Sequence, residues 1–298
     1  MALADADILA GEPRAPVNWT PYLLVLPTLV FLSVFFIYPM VQAVSLAVTD
    51  TQTGALTWAH VRRMTGDLYF GQAIRFTLII TAVAVPLQVA LGLAIALLVN
   101  TRFRGHSVFL YLAALPIGIS DLAAGMIWLS ILTERGYLNA ALQRLGLIAQ
   151  PVVFLTLERP EWLLGAIILT ELWRATAIVM VIVLAGLQLI PKDYAETAAV
   201  FGAGRWQTVR HVILPLLRPS LQTALIIRTI LAFQLFATVL TLAGRQIPVL
   251  AGEAYFWYSL YRSPGVASAY AVLILLLSAT ITWIYLYSLA PKSGEVRV

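Results

Sequence analysis

Long apolar runs, closed at both ends by charges or turn residues, divide the chain into six. They cover about Pro21–Leu46, Ala73–Val99, Ser107–Leu132, Trp162–Leu189, Leu217–Ala243 and Ala267–Leu289. Each is long enough for a helix across a hydrocarbon core, which needs roughly 20 mostly apolar residues. Each is apolar on all sides, unlike an amphipathic surface helix. No series of ten-residue alternating segments marks a membrane β-barrel. The pattern predicts an all-α membrane protein with six transmembrane helices. All six are expected to run as continuous helices, with Pro27, Pro39, Pro86 and Pro116 inside them, because neighbouring helices re-satisfy freed backbone groups.

Composition narrows the class. Of 298 residues, 61% are apolar and 11% charged, against about a quarter charged in ordinary globular domains. Mean hydropathy is +0.89. A soluble enzyme, a disordered chain and a disulfide scaffold are excluded, the last also by the absence of cysteine. The net charge of +5 is no sign of nucleic acid, because the basic residues sit mostly between apolar runs. The first run is too long for a signal-peptide core and has an acidic rather than basic lead, so it reads as a retained span. With the N-terminus inside, inner segments carry nine basic residues and outer segments seven, a lean towards two cytoplasmic termini.

Catalytic chemistry is hard to place. Both lysines, Lys192 and Lys292, follow proline, so neither belongs to a G-x-x-x-x-G-K-[ST] phosphate loop. His60, His106 and His211 lack metal spacing, so no metal site is expected. The balance moves from membrane enzyme to conduit. One alternative is a secondary transporter driven by an ion gradient, although the halves show no clear internal repeat.

The inner segment IPKDYAETAAVFGAGRWQTVRHVILPLLRPSL (Ile190–Leu221) is the most informative. Pro191 and Asp193 are helix-start signals, and Asp193 with Glu196 suits a capping box. Gly202 and Gly204 are stop signals. A short helix over about Tyr194–Phe201 is predicted, with a second starting near Trp206 and running to Leu214-Pro215. Small residues at Ala195, Ala198 and Ala199 suit close approach to a partner surface.

This segment resembles the EAA motif of ABC importer permeases. Glu196 and Ala198 match the motif, Thr197 replaces its first alanine, and Gly202 follows six residues after Glu196. Leu214 and Pro215 match its I-x-L-P step, with Val212 for isoleucine. Phe201 stands where the family commonly has an acid. The stretches Leu26–Asp50, Arg75–Asn100 and Ala114–Asn139 are similar to the first three spans of maltose-type carbohydrate permeases. One departure is Leu240–Pro248, where the family often has a Gly-Gly-Pro turn.

The resemblance implies a type I ABC importer permease for a sugar or related polyol in a prokaryotic cytoplasmic membrane. Its division would be a cytoplasmic tail (1–20), a permease domain (21–290, core 70–290, coupling loop 190–218) and a second cytoplasmic tail (291–298). Implied partners are a second homologous permease in a heterodimer, two ATP-binding subunits, an extracytoplasmic solute-binding protein and membrane lipid. ATP and magnesium would sit on the partner ATPase, with no cofactor on this chain and no enzymatic activity of its own. Coupling would run through Asp193, Tyr194, Ala195, Glu196, Ala198, Ala199, Gly202, Ala203, Gly204, Leu214 and Pro215.

Ionisable residues within spans are costly, about 2.5–3.5 kcal/mol each at the centre on insertion scales. Arg75, at the start of span two, can snorkel. Glu171 and Arg174, three apart on one helix face, are expected to pair within span four. Asp121 and Arg228 remain, either as a pair with each other or along an aqueous pathway or a permease–permease interface. Gln88, Trp128, Trp173, Phe233, Gln234 and Phe236 join them as candidates for lining that pathway, against a competing role as packing or belt residues. The stretch Ala254–Tyr261 suits an interfacial aromatic belt or a docking surface.

Overall fold

The computed structural model describes residues 19–50, 53–156 and 158–288. The expected C-terminal tail and Leu289 lie outside them, as do residues 1–18 of the N-terminal tail. Helix α1 (Thr20–Val48) leads through a loop to α2 (Ala59–Thr65) and α3 (Phe70–Asn100). Then come α4 (His106–Ala114), α5 (Asp121–Leu132), α6 (Tyr137–Arg144) and α7 (Pro160–Leu189). The segment that resembles a coupling loop holds α8 (Asp193–Val200) and α9 (Arg205–Leu216). The chain continues through α10 (Arg218–Phe233), α11 (Ala237–Ala243), α12 (Leu250–Ser259) and α13 (Pro264–Ser288). Among the described residues the only β pairing is the isolated bridge Thr49–Leu56.

Four helices, α1, α3, α7 and α13, are each long and apolar enough to cross a membrane. The other two predicted spans are not continuous, contrary to expectation. Span three breaks between α4 and α5, and the segments His106–Gly118 and Asp121–Arg144 meet at 106°. The local cause is a run of stop and start signals. A 3₁₀ turn over Leu115–Gly118 contains Pro116, and Ser120 restarts the helix as N-cap, its Oγ accepting from Ala123 N–H at 3.2 Å. Span five breaks at Gln234–Phe236, between α10 and α11. Such irregular backbone survives at membrane depth only where protein or a water-filled cavity surrounds it. Leu235 and Thr238 are accordingly buried.

Two helices carry a π turn with a shared origin. In α1 the turn covers Ser33–Ile37, centred four residues before Pro39. In α9 it covers Val209–Ile213, centred four residues before Pro215. A proline ring clashes with the carbonyl four residues earlier and offers it no N–H. Widening the turn at that point relieves both problems.

Packing centres on α3 against α7, with α10 alongside. Small residues set the approach: a Cβ on Gly92 would lie 2.6 Å from Val179, and one on Gly186 would overlap Ser220. At the α8 end, one apolar cluster joins Ala96, Val179, Val183, Leu187, Leu217 and Ala224. At the opposite end another joins Ala47, Met64, Leu250, Trp257 and Tyr270. The first part of α1 buries none of its side chains within this chain.

Candidate functional site: an exposed elbow and a buried charge network

The elbow is built by backbone hydrogen bonding at its turns. Helix α8 begins one residue earlier than predicted, with Lys192 as N-cap. The expected capping box between Asp193 and Glu196 is not formed. Lys192 C=O instead accepts from Ala195 and Glu196 N–H at 2.9 and 3.1 Å, and the two acids lie in the first turn, favourable to the helix dipole. The other end matches expectation. Gly202 N–H donates to Ala199 C=O at 2.9 Å, and Ala203 N–H to Ala198 C=O at 3.0 Å. That double closure is a Schellman motif, and Gly202 takes the left-handed conformation it requires, φ +79°. Gly204 is not a stop. It caps α9, its N–H donating to Gln207 Oε1 at 2.8 Å.

The elbow stands out from the body yet is rooted in it. Val200, Phe201 and Trp206 are 86%, 85% and 70% exposed. Tyr194, Ala195, Glu196 and Ala199 are exposed too, while Ala198 and Ala203 are half-buried. On the body side Thr208 and Leu217 are buried, and Ile190 and Ile213 pack on the apolar cluster at that end. The half-buried Leu214-Pro215 step leads into α10, which meets α9 at 67°.

Within the spans, four charged groups form one connected network. Glu171 and Arg174 pair as predicted, Arg174 Nη2 lying 3.0 Å from Oε2 and 3.3 Å from Oε1. Asp121 and Arg228 do not pair with each other. Arg174 Nη1 reaches Asp121 Oδ1 at 2.8 Å, and Arg228 Nη2 lies 3.6 Å from Glu171 Oε2. Glu171 therefore contacts both arginines, and Asp121 contacts Arg174 rather than Arg228. Gln88 Oε1 accepts from Arg228 Nε at 2.9 Å, while Gln88 Nε2 donates to Glu171 C=O at 3.1 Å. Thr238, which sequence reasoning missed, donates to Glu171 Oε1 at 3.0 Å. No periodicity distinguishes that threonine from its neighbours. Two acids balance two arginines, which leaves the network neutral in sum.

The other candidates divide by position. Trp128 and Trp173 meet edge to face, centroids 6.1 Å apart, both half-buried. Gln234 is exposed at the α10 break. Gln88 and Phe233 are fully buried and reach no open surface within this chain. Phe236 lies against Tyr255, ring centroids 4.7 Å apart and planes tilted by 34°.

A second polar cluster, also missed, organises the end opposite the elbow. Fully buried Glu253 receives Arg245 Nη2 at 2.6 Å and Nε at 3.2 Å. These hydrogen bonds raise the Arg245 pKa above its already high ordinary value, so the guanidinium stays charged. Its carbon lies 4.2 Å from the Tyr69 ring centre. Nearby, Asp67 Oδ2 accepts from Trp257 Nε1 at 2.8 Å and from the Tyr270 hydroxyl at 3.2 Å. The aromatic stretch 254–261 is thus pinned to charged groups outside it, Trp257 to Asp67 and Arg63, and Tyr261 to Arg245.

Comparison with known proteins places this architecture. The family described as binding-protein-dependent transport system inner membrane component matches residues 72–290. The trehalose transport system permease protein SugA of Mycobacterium tuberculosis is 30% identical over 285 residues, 92% of this chain and 90% of that one. The trehalose/maltose transport system permease protein MalF of Thermococcus litoralis is 31% identical over 289 residues, 93% and 94% of the two chains. In fold, the chain matches a crystal structure of a bacterial ABC transporter involved in the import of the acidic polysaccharide alginate. The TM-score is 0.80, with 21% identity, over 93% of this chain and 96% of that one. Spanning helices, the short-helix elbow and a match over most of the length agree: the chain belongs to the family of binding-protein-dependent transport system inner membrane components, the permease subunits of ABC importers.

Proposed function

We propose that this chain forms, with a second and homologous permease, the membrane pathway of an ATP-driven importer for a sugar or related polyol. The α8 elbow seats on a separate ATPase, which carries ATP and magnesium. A solute-binding protein delivers cargo at the opposite end, and both termini lie in the cytoplasm. The observation that carries this reading is the elbow itself, a capped helix that projects apolar side chains from a rooted base. An exposed cluster of Val200, Phe201 and Trp206 suits burial against a partner. The π turn and the Leu214-Pro215 step connect it to α10, which bears Arg228 of the network. Movement of the elbow as a rigid body would therefore be felt inside the spans.

The saccharide cargo is supported by the names of the relatives, which transport trehalose or maltose. Family membership favours ATP-driven uptake over the ion-gradient alternative. Of the pathway candidates, Asp121, Trp128, Trp173 and Gln234 are the best placed to line it, because their side chains are not fully buried and, unlike that of Phe236, are not packed on Tyr255. The test is uptake by the assembled transporter in liposomes. Gly202→Val, which cannot hold the left-handed cap, should abolish ATP-coupled uptake at unchanged assembly, and normal uptake by that variant would count against the reading.

A further inference from the structure

The network is neutral in sum but not in what it presents to the surface. Both guanidinium groups are committed inward. Arg174 gives Nε and Nη2 to Glu171 and Nη1 to Asp121. Arg228, 1% exposed, donates Nε to Gln88 and holds Nη2 3.6 Å from Glu171 as an ion pair. Glu171 is itself 3% exposed. The group that reaches the open surface is the Asp121 side chain, 46% exposed against 12% for Arg174. An arriving solute therefore meets the Asp121 carboxylate, with the Arg174 guanidinium behind it, and no uncovered cation in this network. A carboxylate accepts hydrogen bonds and offers none.

Trp128 lies seven residues after Asp121 on the same helix, hence on the same face and about 10 Å along it. Its ring meets that of Trp173, the neighbour of Arg174. An aromatic wall beside a carboxylate acceptor suits the apolar faces and donating hydroxyls of a sugar ring. It does not suit a second carboxylate, since like charges at this range repel.

We propose that Asp121, Trp128 and Trp173 form a cargo contact that admits uncharged polyhydroxyl solutes and disfavours anionic ones. This rests on the permease reading and goes beyond it. The comparisons leave the charge of the cargo open, since one relative is a trehalose permease and one structural neighbour imports an acidic polysaccharide.

The test uses the whole transporter, both permeases and both ATPases, in lipid nanodiscs without its binding protein. Tryptophan fluorescence is titrated with trehalose and with digalacturonate, and the signal of a Trp128→Phe/Trp173→Phe variant is subtracted. Trehalose should act at concentrations about tenfold or more below digalacturonate, given the repulsion between close like charges. Salt near 1 M should close much of that gap by screening, a measurement that needs no variant. Asp121→Asn should narrow the gap, and Asp121→Glu should keep it. The proposal is overturned if digalacturonate acts as readily as trehalose, if neither changes the signal, or if the gap ignores both salt and Asp121→Asn. ATP-coupled uptake that persists alongside any of those results leaves the permease reading standing and removes only this contact.

Discussion

Arg174 Nη1 lies 2.8 Å from Asp121 Oδ1, and this contact ties α7 to the first residue after the break in span three. The same guanidinium holds Glu171, and Glu171 holds Thr238 on the segment after the break in span five. One arginine thus helps fix both interrupted spans to an unbroken one.

Removing it should be costly. Arg174→Met leaves Glu171 buried with Arg228 as its remaining cation, at 3.6 Å. Loss of one partner from a buried ion pair typically costs about 3–5 kcal/mol. Thermal unfolding in detergent should show the purified single variant well below wild type. Glu171→Gln with Arg174→Gln should lie closer to wild type than the sum of the single variants, the sign of coupling between contacting groups.

The Gly202 cap should rank its substitutes by backbone alone. No atom lies within 4 Å of where a Cβ would stand, so space is not the constraint, whereas φ +79° is. Asparagine tolerates this conformation, alanine less well and valine least. Hydrogen exchange over 198–204 should accelerate in the order Asn, Ala, Val, and coupled uptake should fall in the same order. Equal exchange in Gly202→Asn and Gly202→Val would remove the cap argument.

Two glycines flanking the break in span three should behave oppositely. A Cβ on Gly125 would overlap the Thr241 side chain, while one on Gly118 meets nothing within 4 Å. Gly125→Val should lower expression and melting temperature by forcing α5 from α11, at a cost of about 1–3 kcal/mol for overpacking. Gly118→Ala should melt as wild type does.

Glu253 should matter to the end opposite the elbow more than its place on the short helix α12 implies. Glu253→Ala strips the fully buried carboxylate from Arg245, with about 3–5 kcal/mol at stake if the guanidinium stays in place. Escape of Arg245 to solvent would reduce that figure, since its side chain is 23% exposed. Cysteine-accessibility probes along α12 should report loosening there, with the elbow unaffected.

Local signals were legible where local chemistry decides. The Gly202 cap, the short elbow helices and the Glu171–Arg174 pair follow from spacing of one to six residues. The break in span three was also written locally, in Pro116, Gly118 and Ser120, but uniform apolar composition hides it from a test of span length. The break in span five has no glycine or proline at 234–236, and its position depends on tertiary contacts such as that of Thr238 with Glu171. The partners of Asp121 and Arg228 were beyond reach for the same reason. Which of several distant acids a guanidinium meets depends on helix packing, and no periodicity within one helix encodes it.

The π turn before Pro215 also sets a phase. A π turn holds one residue more than an α turn, and each residue of an α-helix advances the chain by about 100° about its axis. The direction in which Phe201 and Gly202 point, relative to Arg228, therefore depends on that single extra residue in Val209–Ile213. Deleting one residue there would leave every cap, charge and apolar contact of the elbow available in kind, yet aim them about a quarter-turn away. The bulge is the angular setting of the joint, so its length should tolerate change far less than its side chains do.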